Sequence, residues 1–173
     1  MKTIVIYKSQ SGFTRRYAEW IAEELEADLY EGSKVTIKML IGYDTIIYGG
    51  GLYAVGINGV KLITGNLEKL KGKKVVVFAT GASFAEEKAI NDVCNKNFTS
   101  EHLKQIRFFY LQGGFDYNKL KPVFKPVMAW MKWSIKKKTE RTADEQGMLE
   151  AFEKPIDFTD KQNIAGLIDY IKS

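Results

Sequence analysis

Six residues near the N-terminus, Ser9-Gln10-Ser11-Gly12-Phe13-Thr14, hold the densest chemistry in the chain. Three hydroxyls surround one glycine, just after the β-branched run Thr3 to Tyr7 and just before an amphipathic helical pattern. Backbone N–H groups at such a helix start have no intrahelical acceptor, and with the helix dipole they cradle a phosphate without a basic side chain. A serine or threonine could instead simply cap the helix. One capping residue suffices for that, so a cluster of three favours phosphate. No G-x-G-x-x-G for a dinucleotide and no G-x-x-x-x-G-K-[ST] for a nucleoside triphosphate is present, and Lys8-Ser9 is not the acidic cluster of a phosphate receiver. Elsewhere reactive groups are scarce. A single cysteine, Cys94, and a single histidine, His102, exclude an internal disulfide, a thiolate zinc cage, a CxxC pair and a multi-histidine metal site. That scarcity agrees with a protein whose chemistry, if it has any, is carried by a bound group.

The elements that must position this loop follow from periodicity. Thr3 to Tyr7 has the pattern of a buried parallel strand. Phe13, Tyr17, Ile21 and Leu25 recur every fourth position and predict a helix. Ala27 to Tyr30 is a weak second strand, and Lys34 to Leu40 fits a short helix or a strand equally. Thr45 to Tyr48 is a strand ending in Gly49-Gly50-Gly51, followed by a helix marked by Val60, Ile63, Leu67 and Leu70. Lys74 to Thr80 is a further strand; Ser83-Phe84-Ala85-Glu86 has the form of a capping box ahead of Ile90, Val93 and Cys94. Ile106 to Gln112 is the fifth strand, and Thr159-Asp160-Lys161-Gln162 predicts a capped last helix. Alternating strands and helices make an α/β fold with a parallel sheet covered on both faces, and 173 residues suit one domain, 1–173. Ligands of such sheets sit at the carboxyl ends of the strands, near the reversal of strand order. The loops after Tyr7, Tyr48, Thr80 and Gln112 are therefore the ones that matter.

Ser9, Ser11, Gly12 and Thr14 match the pattern [TS]-x-[TS]-G-x-T, and by it the chain resembles the flavodoxin family in its phosphate loop and, over nearly its whole length, in its order of elements. The resemblance implies a flavodoxin-like three-layer sandwich with a five-stranded parallel sheet in the order 2-1-3-4-5. It implies FMN as cofactor, its phosphate on Ser9, Gln10, Ser11, Gly12, Phe13 and Thr14. The flavin ring would lie between the loops 50–56 and 81–84. Gly51, Leu52 and Tyr53, then Thr80, Gly81, Ala82 and Ser83, with Gly113 and Gly114 beyond the fifth strand, are the other expected contacts. Tyr53 stands where the family often places an aromatic or hydrophobic residue against the ring. More narrowly, Phe78-Ala79-Thr80-Gly81, Leu111 to Tyr117, a long basic insertion and Asp157-Phe158-Thr159-Asp160 are similar to the subfamily that includes menaquinone-dependent protoporphyrinogen dehydrogenase.

The insertion, 115–157, is what a minimal fold of this kind does not need. The chain's net charge of +5 is concentrated there: from Asn118 to Thr142 eight lysines and arginines face a single acid, Glu140, so the remainder is slightly negative. On a helical wheel Leu120, Val123, Phe124, Val127, Met128, Trp130, Met131 and Ile135 share one face and Lys121, Lys125, Lys132 and Lys136 the other. Pro126 either starts the main helix or kinks it. Two readings stand. In one the apolar face packs on the chain's own domain and the lysines are merely solvated. In the other, residues 119–141 lie on an anionic membrane surface or line a pocket for an apolar, anionic substrate, with Trp130 and Trp133 at the interface and Lys136, Lys137 and Lys138 adding attraction. Nucleic acid is the poorer fit, because the aromatics are not displayed among the lysines.

An FMN-dependent oxidoreductase or electron-transfer protein is the expected function, with glycines 49 to 51 and 56 free to reorient a peptide toward the flavin. A pI near 9.1 disfavours an acidic soluble carrier and favours a quinone, a porphyrinogen or a membrane-bound redox partner. The alternative is a flavin-free binding or signalling module. The N-terminus runs directly into a strand and no apolar run reaches the ~20 residues of a membrane span, so the expected setting is cytoplasmic, extended by peripheral contact at the inner membrane face.

Overall fold

Apolar residues that alternate along the strands build two separate layers on one sheet. A computed structural model describes residues 1–82, 86–120 and 122–173, except for the side chains of 143 and 144. Its strands are β1 (Thr3–Lys8), β2 (Asp28–Glu31), β3 (Thr45–Tyr53), β4 (Gly56–Ile57), β5 (Lys74–Gly81), β6 (Ile106–Gln112), β7 (Gly114–Phe115) and β8 (Ile156–Asp157). Between them lie α1 (Phe13–Leu25), α2 (Ile37–Ile41), α3 (Lys61–Thr64), α4 (Glu87–Asn97), α5 (Ser100–Gln105), α6 (Lys125–Lys136), α7 (Ala143–Glu153) and α8 (Ala165–Lys172). Five strands run parallel in the order β2-β1-β3-β5-β6, which is the expected 2-1-3-4-5, and β4 folds back antiparallel on the end of β3. Ile4, Ile6, Ile46, Val75 and Val77 face α2, α3, α4 and the turn at 67–70. Val5, Ile47, Val76 and Phe78 point the other way, to Tyr17 and Ile21 of α1 and Leu167, Ile168 and Ile171 of α8.

Four local expectations change. Strand β3 does not stop at Tyr48 but runs on through the glycines, Gly49 pairing with Phe78, Gly50 with Ala79 and Gly51 with Thr80. The reason is space: a Cβ on Gly49 would enter the Phe78 ring, and one on Gly50 would lie 2.5 Å from Ile57 Cγ2. None of these three glycines, nor Gly56, has positive φ; Gly12, Gly59 and Gly72 do, as does Ala54 at the turn into β4. The Val60-to-Leu70 segment buries all four marked residues, yet it is one short helix and a separate 3₁₀ turn at 67–70, interrupted at Gly65-Asn66. Helix α4 opens at Glu87, with Glu86 extended as its N-cap. Glu86 is therefore not the third residue of a helix, and the Ser83-Phe84-Ala85 part of that expectation lies outside the described residues. Before α8 the cap is Asp160, which accepts the Gln162 N–H at 2.8 Å and opens a 3₁₀ turn at 161–164. Thr159 instead hydrogen-bonds Asp157 and Arg16.

The insertion begins with β7, which pairs with β8, and continues through a 3₁₀ turn at 117–119 into α6. Pro126 lies in the first turn of α6, so it starts the helix. The wheel's single apolar face divides. Ile135 is buried, but Trp130 is 66% exposed, Val127 64% and Val123 71%. The lysines are not one solvated face either: Lys125 and Lys132 are partly buried, with the Lys132 ammonium 5.4 Å from the Phe152 ring centre on α7 and that of Lys125 6.0 Å from Tyr117. Lys121 lies outside the described residues.

Candidate functional site

The loop after β1 leaves the N-terminus of α1 open. Gly12 is the N-cap, at φ 96°, and no side chain caps the helix. Ser9 Oγ accepts the Gly12 N–H at 3.1 Å, which holds the loop curled while leaving the first-turn amides without a protein side chain over them. The capping explanation for the hydroxyl cluster therefore fails at α1. Thr14 turns inward, 2% exposed, and its Oγ1 lies 2.7 Å from Thr80 Oγ1 at the end of β5. Gly51 completes the junction, because a Cβ there would stand 3.3 Å from the Thr14 hydroxyl. Three strand ends thus meet where the parallel sheet reverses its order.

A cavity of about 530 Å³ opens from this junction, within the ~300–1,000 Å³ usual for small-molecule sites. Gln10, Ser11, Phe13, Thr14, Gly51, Leu52, Tyr53, Thr80, Gly81, Ala82 and Gly114, all anticipated from sequence, line it together. Ser9, Gly12 and Gly113 do not line it. Gly113 is engaged on both sides of its backbone, donating to Gly81 O at 2.7 Å and accepting from the Phe158 N–H at 2.8 Å, so it ties the C-terminal segment to the sheet. Gly114 has no room for a side chain, since the Ile156 carbonyl oxygen and the Phe13 ring occupy the position a Cβ would take. Ser83 lies outside the described residues.

The β3–β4 hairpin is fixed from below. Asn97 of α4 donates to Val55 O at 2.7 Å and accepts the Ile57 N–H at 2.8 Å, and the Tyr48 hydroxyl donates to Asn58 O at 2.7 Å. Tyr53 at the hairpin stacks on Phe124, with ring centres 4.9 Å apart and planes 19° apart. Tyr110 walls the cavity beneath Gly81, and burial pushes its phenol up to about 12, so it is a neutral group over the physiological range. Burial likewise raises Tyr53.

Sequence reasoning allowed the insertion to line a pocket but did not name the residues of this far wall as contacts. Phe115, Asp116, Lys119, Leu120, Phe124, Val127, Met128 and Met148 close the cavity from the insertion. Leu120, Phe124, Val127 and Met128 lay on the apolar face of the wheel, which fitted packing on the domain's own loops, a membrane surface or a pocket lining; here Phe124 stacks on the hairpin and all four line the cavity. The pairing of Tyr53 with Phe124, 71 positions apart, had no local signal.

The residues present fit a phosphorylated, flat, apolar group. The amides at α1 are uncapped donors for a phosphate, and Gln10 Oε1 is buried in the cavity wall as an acceptor without a partner and so suits a hydroxyl or N–H of the ligand. Beyond them the lining becomes aliphatic, aromatic and thioether. Residues 4–142 match the family model described as Flavodoxin domain. An uncharacterized protein of Methanocaldococcus jannaschii is 36% identical over 83 residues, which are 46% of this chain and 54% of that protein, so the match spans about half the length of the relative. Among solved structures, a flavodoxin from the domain Archaea aligns at 19% identity and TM-score 0.42, over 65% of this chain and 85% of the other. The Trp repressor binding protein of Bacillus subtilis aligns at 18% identity and TM-score 0.48, over 65% and 86%. With the family model covering most of its length, the chain belongs to the flavodoxin domain family, whose members generally bind FMN.

Proposed function

We propose that this protein binds FMN in the cavity between the β1 loop, the β3–β4 hairpin and the insertion, and passes electrons to a small apolar acceptor or donor of the quinone or porphyrinogen class. The observation that carries the reading is the composition of the cavity along its length: polar and amide-rich at Ser11 and Thr14, apolar at Leu120, Phe124, Val127, Met128 and Met148. FMN, when bound, supplies the redox chemistry. Ser11, Thr14 and the α1 amides hold its phosphate, while Tyr53 and Leu52 border the ring. The roof of α6 and α7 shields the ring from water and leaves an apolar approach for a flat substrate, where a protein-to-protein carrier would expose the ring edge.

The same reading gives the insertion a surface role. Val123, Val127, Trp130 and Trp133 are exposed, and Phe124 and Val127 belong both to this surface and to the cavity rim. An apolar redox partner held in an anionic bilayer would thus meet the rim first, with Lys136 and Lys137 near the headgroups. Among the described residues no helix is long and apolar enough to cross a membrane, so the contact would be peripheral.

A visible absorption spectrum after reconstitution with FMN is the direct test. A bound-flavin spectrum that is reduced and then reoxidised by a soluble naphthoquinone supports the proposal. Failure to bind FMN would return the chain to the flavin-free binding modules. Binding without quinone or porphyrinogen turnover would leave an electron carrier between proteins.

A further inference from the structure

We infer that Lys119, contributed by the insertion, is the cation that neutralises the phosphate monoester of the bound flavin and makes the site select FMN over riboflavin. The inference rests on the FMN reading above. Among the described residues lining the cavity Lys119 is the one basic side chain, and it stands at the phosphate-loop end. Its Nζ lies 3.4 Å from Ser11 O and 3.7 Å from Asp116 Oδ2. Both distances exceed the usual 2.7–3.2 Å of a formed N–H···O bond, so the ammonium is held near the loop with donor capacity to spare.

Local structure aims it there. Asp116 is buried and accepts the Asn118 N–H at 3.0 Å, opening the 3₁₀ turn 117–119, and the Lys119 N–H returns to Asp116 O at 3.2 Å. That tight turn projects the Lys119 side chain back across 108 positions of sequence to the loop. The two arginines of the first turn of α1 are committed: Arg15 to Glu19 at 2.7 Å, and Arg16 to Asp157 and Thr159. The phosphate loop itself contributes no formal charge, only amides, hydroxyls and the helix dipole. A dianionic phosphate placed between them and Lys119 is a stronger acceptor than the Ser11 carbonyl, and the ammonium would exchange one for the other.

Titration of the apoprotein with FMN and, separately, with riboflavin, followed by quenching of flavin fluorescence at about 50 and 500 mM salt, tests this. Lys119→Met keeps the apolar stem and removes the charge. It should raise the FMN dissociation constant about three- to tenfold, between the effect of an exposed ion pair and that of a charge-assisted hydrogen bond. Riboflavin affinity should stay unchanged, the salt dependence of FMN binding should shrink, and Lys119→Arg should restore most of the loss. Equal losses for both flavins would show that Lys119 only walls the cavity, and an unchanged FMN constant would show that it plays no part; either overturns the inference. Wild-type protein that binds neither flavin would overturn the FMN reading itself, and this inference with it.

Discussion

Thr14 and Thr80 each bury a hydroxyl, and each is the other's hydrogen-bond partner at 2.7 Å. Removing one leaves the other unsatisfied in the interior, a cost of about 1–3 kcal/mol. Thr14→Val should therefore lower unfolding free energy by that amount in urea titration, and with Ser11→Ala should weaken FMN binding at least about tenfold, because with Thr80 donating to Thr14 Oγ1 the Thr14 proton is left for the phosphate, and two donors to a charged acceptor are lost. Asp157 offers a pH-dependent counterpart. Burial pushes its carboxyl upward, but the hydroxyl and N–H of Thr159 and the Arg16 guanidinium outweigh this and hold it below its ordinary value. A carboxyl depressed in the folded state adds stability above its unfolded pKa and loses it as pH falls through the folded one. The melting temperature should drop more steeply below about pH 4 in the wild type than in Asp157→Asn, which should already be less stable at neutral pH. If the two acid profiles run parallel, the clasp between α1 and the C-terminal segment contributes nothing. At this scale the loop proposed to hold phosphate stood out in sequence, because its six residues are contiguous; Asp157 was noticed only as part of a subfamily resemblance, because its partner Arg16 is 141 positions away.

Strand β3 shows what an element takes from distant sequence. The Gly49-Gly50-Gly51 run has no side-chain periodicity, so it resembles a loop; only Phe78 lying across Gly49 and Ile57 against Gly50 explain why the chain stays extended there without side chains. Phe78 is fully buried and cannot swing away. Gly49→Ala would bring a Cβ within 2.6 Å of Phe78 Cε1 and Cε2, and the overpacking should cost about 3 kcal/mol, the upper part of the usual range. Chemical denaturation measures it; a loss under about 0.5 kcal/mol would mean that the ring moves freely. Helix α5 was missed altogether. It is six residues long, and its cap pairs Thr99 with His102, a histidine where the familiar box has an acid or amide. The core strands were legible because β-branched runs need no partner to identify them, whereas one-turn helices and hairpins depend on what they pack against.

Across the whole molecule, charge and exposed apolar surface coincide on one element. The positive excess lies in 118–142, and the exposed stripe Val123, Val127 and Trp130 lies on the same segment, beside the cavity rim. Composition made the charge visible, but which apolar residues pack and which stay in water is a tertiary fact, so Trp130 and Ile135 looked alike. They should now behave differently. Ile135→Ala, at a buried position, should cost about 2–5 kcal/mol. Trp130→Ala should change stability by less than about 0.5 kcal/mol, since nothing is emptied. Its effect belongs in co-sedimentation with vesicles containing anionic lipid, where binding should fall and the residual should weaken with salt. The lysines need separating in the same experiment. Lys138 is paired with Glu145, whose carboxylate also accepts the Thr142 N–H at the start of α7, so Lys138→Gln disturbs a helix cap as well as a surface charge. Lys136→Gln with Lys137→Gln is the cleaner variant, because Lys136 is exposed and Lys137 only covers the Trp133 ring at 3.9 Å. Near an anionic bilayer each should be worth about 1 kcal/mol, so the pair should reduce vesicle binding roughly thirtyfold while leaving FMN binding intact. Vesicle binding that survives both this variant and Trp130→Ala would remove the membrane from the proposal and leave the exposed stripe to a protein partner.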